Sequence, residues 1–69
     1  MPFIQITLAE GHDEQRKRAL LSAVSSAAAT ATGTPEASFR VWIVEVPTTE
    51  VMVGGAVLAD KRTAAGSAS

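Results

Sequence analysis

Residues 3–9 alternate. Ile4, Ile6 and Leu8 fall on one side of an extended chain, and Phe3, Gln5 and Thr7 fall on the other. A period of two with one strongly apolar face predicts a β-strand. Ala9-Glu10-Gly11-His12 breaks the alternation, with Gly11 as the turn residue. The period then changes. Leu20, Leu21, Val24, Ala27, Ala28 and Ala31 recur at helical spacing, while Arg16, Lys17, Arg18, Ser22, Ser25 and Ser26 supply most of the opposite face. Asp13-Glu14-Gln15 predicts the helix start, because carboxylates favour the positive end of the dipole and Asp13 is suited to cap it. Thr32-Gly33-Thr34-Pro35 predicts its end, with glycine just past the helix and proline after that.

After a short connection at Glu36-Ala37-Ser38, Phe39–Val46 is dense in β-branched and aromatic residues and predicts a second strand. Phe39, Val41 and Ile43 share one face with Glu45; Arg40 shares the other with Trp42, Val44 and Val46. Both faces are mostly apolar, which predicts a strand covered on two sides. Strand, helix and strand form a crossover unit, so the two strands should pair in parallel with a right-handed connection. Pro47-Thr48-Thr49-Glu50 reads as a loop. Val51-Met52-Val53 and Ala56-Val57-Leu58 flank Gly54-Gly55, a two-residue hairpin signal. A hairpin this short cannot stand alone, so it should lie against its own subunit or extend a neighbour's sheet. Ala59 to Ser69 turns small and polar. The expected architecture is therefore α/β (α+β): a single β-α-β unit with a short C-terminal β-hairpin over residues 1–62, and a flexible tail over 63–69.

Composition adds a constraint that the pattern does not. A chain of 69 residues buries only about 60% of its unfolded surface and is marginal alone. Small scaffolds lean on disulfides, a metal or oligomerisation. The chain has no cysteine and only one histidine, which argues against disulfides and a structural zinc site. Oligomerisation is the support that remains, and a 46% hydrophobic content fits apolar surface placed between subunits. The net charge of −1 supplies no basic field for nucleic acid. No apolar run reaches the ~18 residues of a membrane span, and no signal-peptide pattern opens the sequence. With cysteine absent, the cytoplasm is the expected compartment.

Three residues carry candidate chemistry. Pro2 stands after the initiator, where a small residue favours removal of Met1. It would then be a secondary amine at the end of a strand. An α-amino group has a pKa of roughly 7.7–8.0, and burial or a nearby cation lowers it towards the range of an effective general base. Read structurally, it is a proline tolerated at a strand's first position. Arg40 is a cation within an otherwise apolar strand, and its fork suits a substrate carboxylate. The structural reading is an ion pair with Glu10, Glu36, Glu45 or Glu50. His12, at the mouth of the helix, either contacts an anion or is a solvated turn residue. Arg16, Lys17 and Arg18 read as a solvated face, Trp42 as core or interface, and Gly54-Gly55 as turn chemistry without a phosphate-loop pattern. Glu50 is a loop carboxylate able to orient water.

Strand-initial Pro2, the run Glu10-Gly11-His12-Asp13-Glu14-Gln15, the segment Phe39-Arg40-Val41-Trp42-Ile43-Val44-Glu45-Val46-Pro47, and Val53-Gly54-Gly55 together resemble the 4-oxalocrotonate tautomerase family. The resemblance runs from Pro2 to about Arg62. It implies a tautomerase-like β-α-β subunit assembled as a homohexamer, a trimer of dimers, or as a hetero-hexamer of two unlike chains. It implies that Pro2, once Met1 is lost, is the catalytic base that moves a proton between the enol oxygen and a carbon of a conjugated keto acid. Arg40 matches the arginine that reaches a neighbouring subunit's site and binds the carboxylate end of a small-molecule substrate. No cofactor and no metal are implied, and neither nucleic acid nor membrane is an expected partner. Two positions depart from the family pattern. His12 stands where a second arginine usually grips the far carboxylate of a dicarboxylate, and Val51 stands where an aromatic usually closes the pocket. His12 remains a candidate substrate-binding residue, and the departures favour a monocarboxylate enol. Related readings are a dehalogenase or hydratase of small unsaturated acids, with Glu50 activating water, and a less active subunit of a hetero-oligomer.

Overall fold

The computed structural model describes residues 1–64, in the order β1 (Phe3–Ala9), α1 (Glu14–Thr32), β2 (Arg40–Val46), β3 (Met52–Val53), β4 (Ala56–Val57) and α2 (Leu58–Ala64). Short 3-10 turns at Glu36–Ser38 and Thr48–Glu50 precede β2 and β3. The strands form two two-stranded sheets, β1 with β2 and β3 with β4. Hydrogen bonds at the two ends of the first pair run from the Arg40 N–H to the Pro2 carbonyl and from the Glu10 N–H to the Val46 carbonyl, both 3.0 Å. Residue numbers rise together along both strands, so they are parallel, as the crossover pattern requires.

The chain forms two compact units. One comprises Met1–Ile6 and His12–Val44; the other comprises Thr7–Gly11 and the chain from Glu45 onward. In the first, α1 begins where the carboxylate of Asp13 caps it, accepting from the Arg16 N–H at 2.7 Å. It ends at Gly33, whose φ of 72° lets its N–H reach the Ala29 carbonyl at 3.0 Å. Leu20, Leu21, Val24 and Ala28 are half-buried as the helical spacing predicts, whereas Ala27 and Ala31 of the expected apolar face are exposed and Ser25 of the opposite face is half-buried. Ser25 Oγ donates to Glu36 Oε2 at 3.0 Å and ties the helix to the turn that leads into β2. Phe39, at 8% exposure, is the one buried hydrophobic residue among those described.

Asp13→Ala removes the side-chain acceptor for an N-terminal helix donor while leaving the apolar stripe intact. It is expected to cost about 1 kcal/mol. A lower urea midpoint at unchanged slope is the signature to look for.

In the second unit, β3 and β4 pair antiparallel with Met52 opposite Val57 and Val53 opposite Ala56. Gly54 and Gly55 turn the chain at φ values of 58° and 87°, the left-handed pair that matches the twist of a two-residue hairpin. α2 follows directly, and the Leu58 N–H donates to the Val51 carbonyl at 2.7 Å. This helix is absent from the sequence expectation. Ala59, Asp60, Lys61 and Arg62 looked small and polar, but a stretch with alanine, lysine and arginine is also a good helix former. The helix runs through Thr63 and Ala64, two residues into the expected tail; 65–69 lie outside the described residues.

The other revision concerns β2. Its Val41 and Ile43 face is half-buried, but Trp42 and Val44 on the opposite face remain 40% and 38% exposed. On the same open face Phe3 is 65% exposed, and its ring meets Trp42 edge-on with centroids 6.3 Å apart. One subunit therefore covers one face of the strand, not both.

Candidate functional site

Pro2 and Arg40 are brought together by the parallel pairing of the strands that begin beside them. The Arg40 N–H donates to the Pro2 carbonyl at 3.0 Å, so the residue that would carry the amine is held at its carbonyl side by the sheet. Pro2 is half-buried and in phase with Ile4 and Ile6, whereas Met1 is 74% exposed. A residue at a chain end is usually loose unless tied down, and this bond is the tie.

Arg40 is exposed. Its Nη1 donates to the Ala37 carbonyl at 3.3 Å and to the Phe39 carbonyl at 3.1 Å. These bonds rest the guanidinium on the backbone leading into β2. Among the described residues its Nε and Nη2 make no hydrogen bond, and Arg40 enters no ion pair. The structural reading of an ion pair with Glu10, Glu36, Glu45 or Glu50 is corrected: among the described residues Arg40 is exposed and pairs with no carboxylate. The edge that remains, Nε with Nη2, has the geometry to donate two parallel N–H bonds to a carboxylate.

Side-chain direction separates what the backbone joins. Arg40 is in phase with Trp42, and Trp42 meets Phe3, so Arg40 lies on the open face of the sheet. Pro2 is in phase with the half-buried side. His12 is further away still. β1 is seven residues long, so at about 3.3 Å per residue it spans roughly 23 Å between Pro2 at one end and the Gly11-His12 turn beyond the other. A small acid cannot touch Pro2 and His12 of the same chain. His12 itself is exposed, between Gly11, with φ of 131°, and the capping residue Asp13.

Glu50, the alternative water-activating carboxylate, is exposed at the end of a 3-10 turn. Val51 follows it, half-buried, and its carbonyl accepts from Leu58. The exposed Phe3–Trp42 pair on the open face of the sheet is missing from the sequence expectation. Period-two phasing puts Phe3 opposite Ile4 and Ile6 in its strand and Trp42 with Arg40 in the other, but only the cross-strand contact shows that these two faces coincide.

Known proteins resemble this chain along most of its length. The sequence profile of a family described as "Tautomerase enzyme" matches residues 2–61, beginning at Pro2. A 2-hydroxymuconate tautomerase of Pseudomonas putida is 53% identical over 47 residues, which are 68% of this chain and 75% of that protein. Among solved structures, that of a heterohexamer 4-oxalocrotonate tautomerase from Chloroflexus aurantiacus aligns with a TM-score of 0.83 at 42% identity, over 87% of this chain and 97% of that one. TomN, a 4-oxalocrotonate tautomerase homologue in the tomaymycin biosynthetic pathway, aligns with a TM-score of 0.85 at 39% identity, over 90% and 95% of the two chains.

Proposed function

The chain belongs to the tautomerase enzyme family, and from that premise we propose that it is a cofactor-independent tautomerase of small enol and keto acids. Pro2 is the general base after removal of Met1, and Arg40 binds the substrate carboxylate. The observation that carries this reading is the Arg40 guanidinium, steadied by two carbonyls and unspent on any carboxylate.

The secondary amine of Pro2 takes the proton from the enol oxygen. Electron density moves along the conjugated system, and the same proline returns the proton to carbon. The reaction is an isomerisation, so Pro2 ends each turnover unchanged. Arg40, placed at the carboxylate end, neutralises the fixed charge and stabilises the negative charge that develops towards it. The substrate is a monocarboxylate, because His12 lacks the permanent charge and the two-pronged fork with which an arginine grips a second carboxylate.

The site is shared between copies. Pro2 and Arg40 of one chain are out of phase, and His12 stands a full strand length from Pro2, so a complete site takes these residues from different subunits. The open face carrying Phe3, Trp42 and Val44 gives a second copy something apolar to bury. A homohexamer working in the cytoplasm satisfies both requirements, and a hetero-hexamer with a sister chain satisfies them equally. No helix among the described residues is long and apolar enough to cross a membrane.

The test uses purified protein whose intact mass confirms Pro2 as the first residue. It should ketonise a simple arylenolpyruvate without added metal or cofactor, and its native mass should be that of six subunits. A processed, assembled protein inert towards arylenolpyruvates and hydroxydienoates alike would sink the tautomerase reading. Chloride release from a haloacrylate by the same sample would replace it with the dehalogenase reading.

A further inference from the structure

Between the end of α1 and the start of β2 the chain makes one 3-10 turn, Glu36–Ser38. Its backbone bonds are local. The Ser38 N–H donates to the Pro35 carbonyl at 2.9 Å, and the Phe39 N–H donates to the Glu36 carbonyl at 3.0 Å. These bonds shape the turn and leave its place against the helix to other contacts. Ser25 supplies one: its Oγ donates to Glu36 Oε2 at 3.0 Å, across 11 residues of sequence.

A hydroxyl inside a helix commonly bonds back to the carbonyl four residues before it. Thr32 does so with Ala28 at 2.8 Å, and Thr63 does so with Ala59 at 3.0 Å. Ser25 is half-buried within α1, and its hydroxyl reaches a carboxylate outside the helix instead. A hydrogen bond to a charged acceptor is stronger than one between neutral groups. Next to Glu36 is Ala37, whose carbonyl accepts from Arg40 Nη1 at 3.3 Å; the Phe39 carbonyl accepts from the same nitrogen at 3.1 Å. The turn that Ser25 anchors is thus also the rest on which the guanidinium lies. Fixing an arginine side chain costs rotamer entropy, and a group ordered before the ligand arrives binds it more tightly. Ser25, Glu36, Ala37, Phe39 and Arg40 all belong to the first compact unit.

We propose that Ser25 and Glu36 are positioning residues for carboxylate binding: their bond holds the Glu36–Ser38 turn, and the Ala37 carbonyl of that turn directs the Arg40 guanidinium, leaving its Nε–Nη2 edge for the substrate. This rests on the reading of Arg40 as the carboxylate binder and adds a polar brace from α1. Neither Ser25 nor Glu36 touches the substrate. The charge of Glu36 alone would act in the opposite sense. A carboxylate four residues from Arg40 repels an anionic substrate, so removing it would raise kcat/KM. The sign of the effect therefore separates a brace from a field.

The experiment compares full-length, Pro2-initiated protein with Ser25→Ala, Glu36→Ala and Glu36→Gln, the last of which keeps an acceptor oxygen and loses the charge. Each is assayed for kcat/KM with an arylenolpyruvate, both with Arg40 present and in an Arg40→Ala background. Amide hydrogen exchange is read at Phe39 and Arg40. In Ser25→Ala and Glu36→Ala, kcat/KM should fall about three- to tenfold, the loss of one hydrogen bond. Glu36→Gln should recover part of it. Exchange at the Phe39 amide, which donates within the turn, should rise at least about threefold, while the Arg40 amide, which donates to Pro2, should be unmoved. In the Arg40→Ala background the same substitutions should change kcat/KM by less than about twofold, because the group they direct is gone. Unchanged Phe39 exchange overturns the brace. Equal loss of protection at Phe39 and Arg40 means a general loosening of the fold and overturns it too. A kcat/KM that holds or rises, or that falls as far without Arg40, overturns the link to carboxylate binding. If wild-type protein fails to turn over substrate, the tautomerase reading falls and the substrate role of the brace falls with it; Phe39 exchange still decides whether Ser25 and Glu36 hold the turn.

Discussion

A chain synthesised with Met1 in place is expected to turn over an arylenolpyruvate at least about 100-fold more slowly than the same chain beginning at Pro2. The comparison changes one bond. With Met1 attached, the Pro2 nitrogen is a tertiary amide whose lone pair is delocalised into the carbonyl, so it accepts no proton at neutral pH. Freed, it is a secondary amine. Positioned general bases contribute roughly 10² to 10⁴ in rate, which sets the size of the loss. The fold should be indifferent to the change, because the tie between the two strands uses the Pro2 carbonyl and not its nitrogen. Circular dichroism and native mass of the two chains should therefore coincide while their kcat values diverge. Pro2→Ala is the useful second variant. After Met1 removal it still presents an α-amine, so it should fall between the two chains. Equal kcat values for the Met1 and Pro2 chains, both confirmed by intact mass, would remove Pro2 from the mechanism. Met1 is 74% exposed, so a processing enzyme meets no steric barrier at the single-chain stage.

Arg40→Ala should lower kcat/KM by roughly 10²- to 10⁴-fold, and Arg40→Lys should recover only a fraction of it. Hydrogen bonds to charged groups contribute about 1.5–3 kcal/mol each, and a side-on guanidinium makes two of them with one carboxylate. Lysine keeps the charge but offers a point donor on a flexible stem. The backbone donor that reaches Pro2 is independent of the side chain, so neither variant disturbs the parallel pairing. The split between constants is informative. A rise in KM alone means that Arg40 binds ground state and transition state equally; a fall in kcat as well means that it also stabilises charge developing at the carbonyl end. If Arg40 were a structural residue, its loss would instead appear in the urea midpoint with kcat/KM intact. Mixing Arg40→Ala chains with chains retaining Met1 extends the test. Each chain lacks one half of the site, and hetero-assemblies should regain part of the activity if Pro2 and Arg40 serve the same site from different subunits.

Local chemistry made much of the fold legible. Asp13 caps α1 and Gly33 closes it where the sequence places them, because capping and left-handed glycine are decided within a few residues. The Gly54-Gly55 turn is local for the same reason. The C-terminal helix escaped because its signal is propensity alone: Leu58–Ala64 has only seven residues and no amphipathic repeat long enough to read. The candidate site was legible as a set of residues and illegible as an arrangement. Pro2, Arg40 and His12 stand out by type and position. The expectation of an anion beside Arg40 assumed a buried strand start, whereas the chain leaves that edge open and rests the guanidinium on the Ala37 and Phe39 carbonyls.

By itself the sequence determined the family and the elements other than α2: the alternation of residues 3–9, the capped helix, the apolar second strand, the glycine hairpin, and a pattern that begins at Pro2 and extends across the chain. Those are properties of neighbours along the chain, where periodicity, caps and turn residues act. Tertiary structure decided what faces what. Parallel pairing set Pro2 beside the Arg40 backbone, strand phasing sent the Arg40 side chain to the open face, and the length of β1 kept His12 away from its own Pro2. It also joined Arg62 to Glu10 across 52 residues. Contacts of that span come from the closing of strand on strand and helix on turn, and periodicity does not encode which distant donor meets which distant carbonyl.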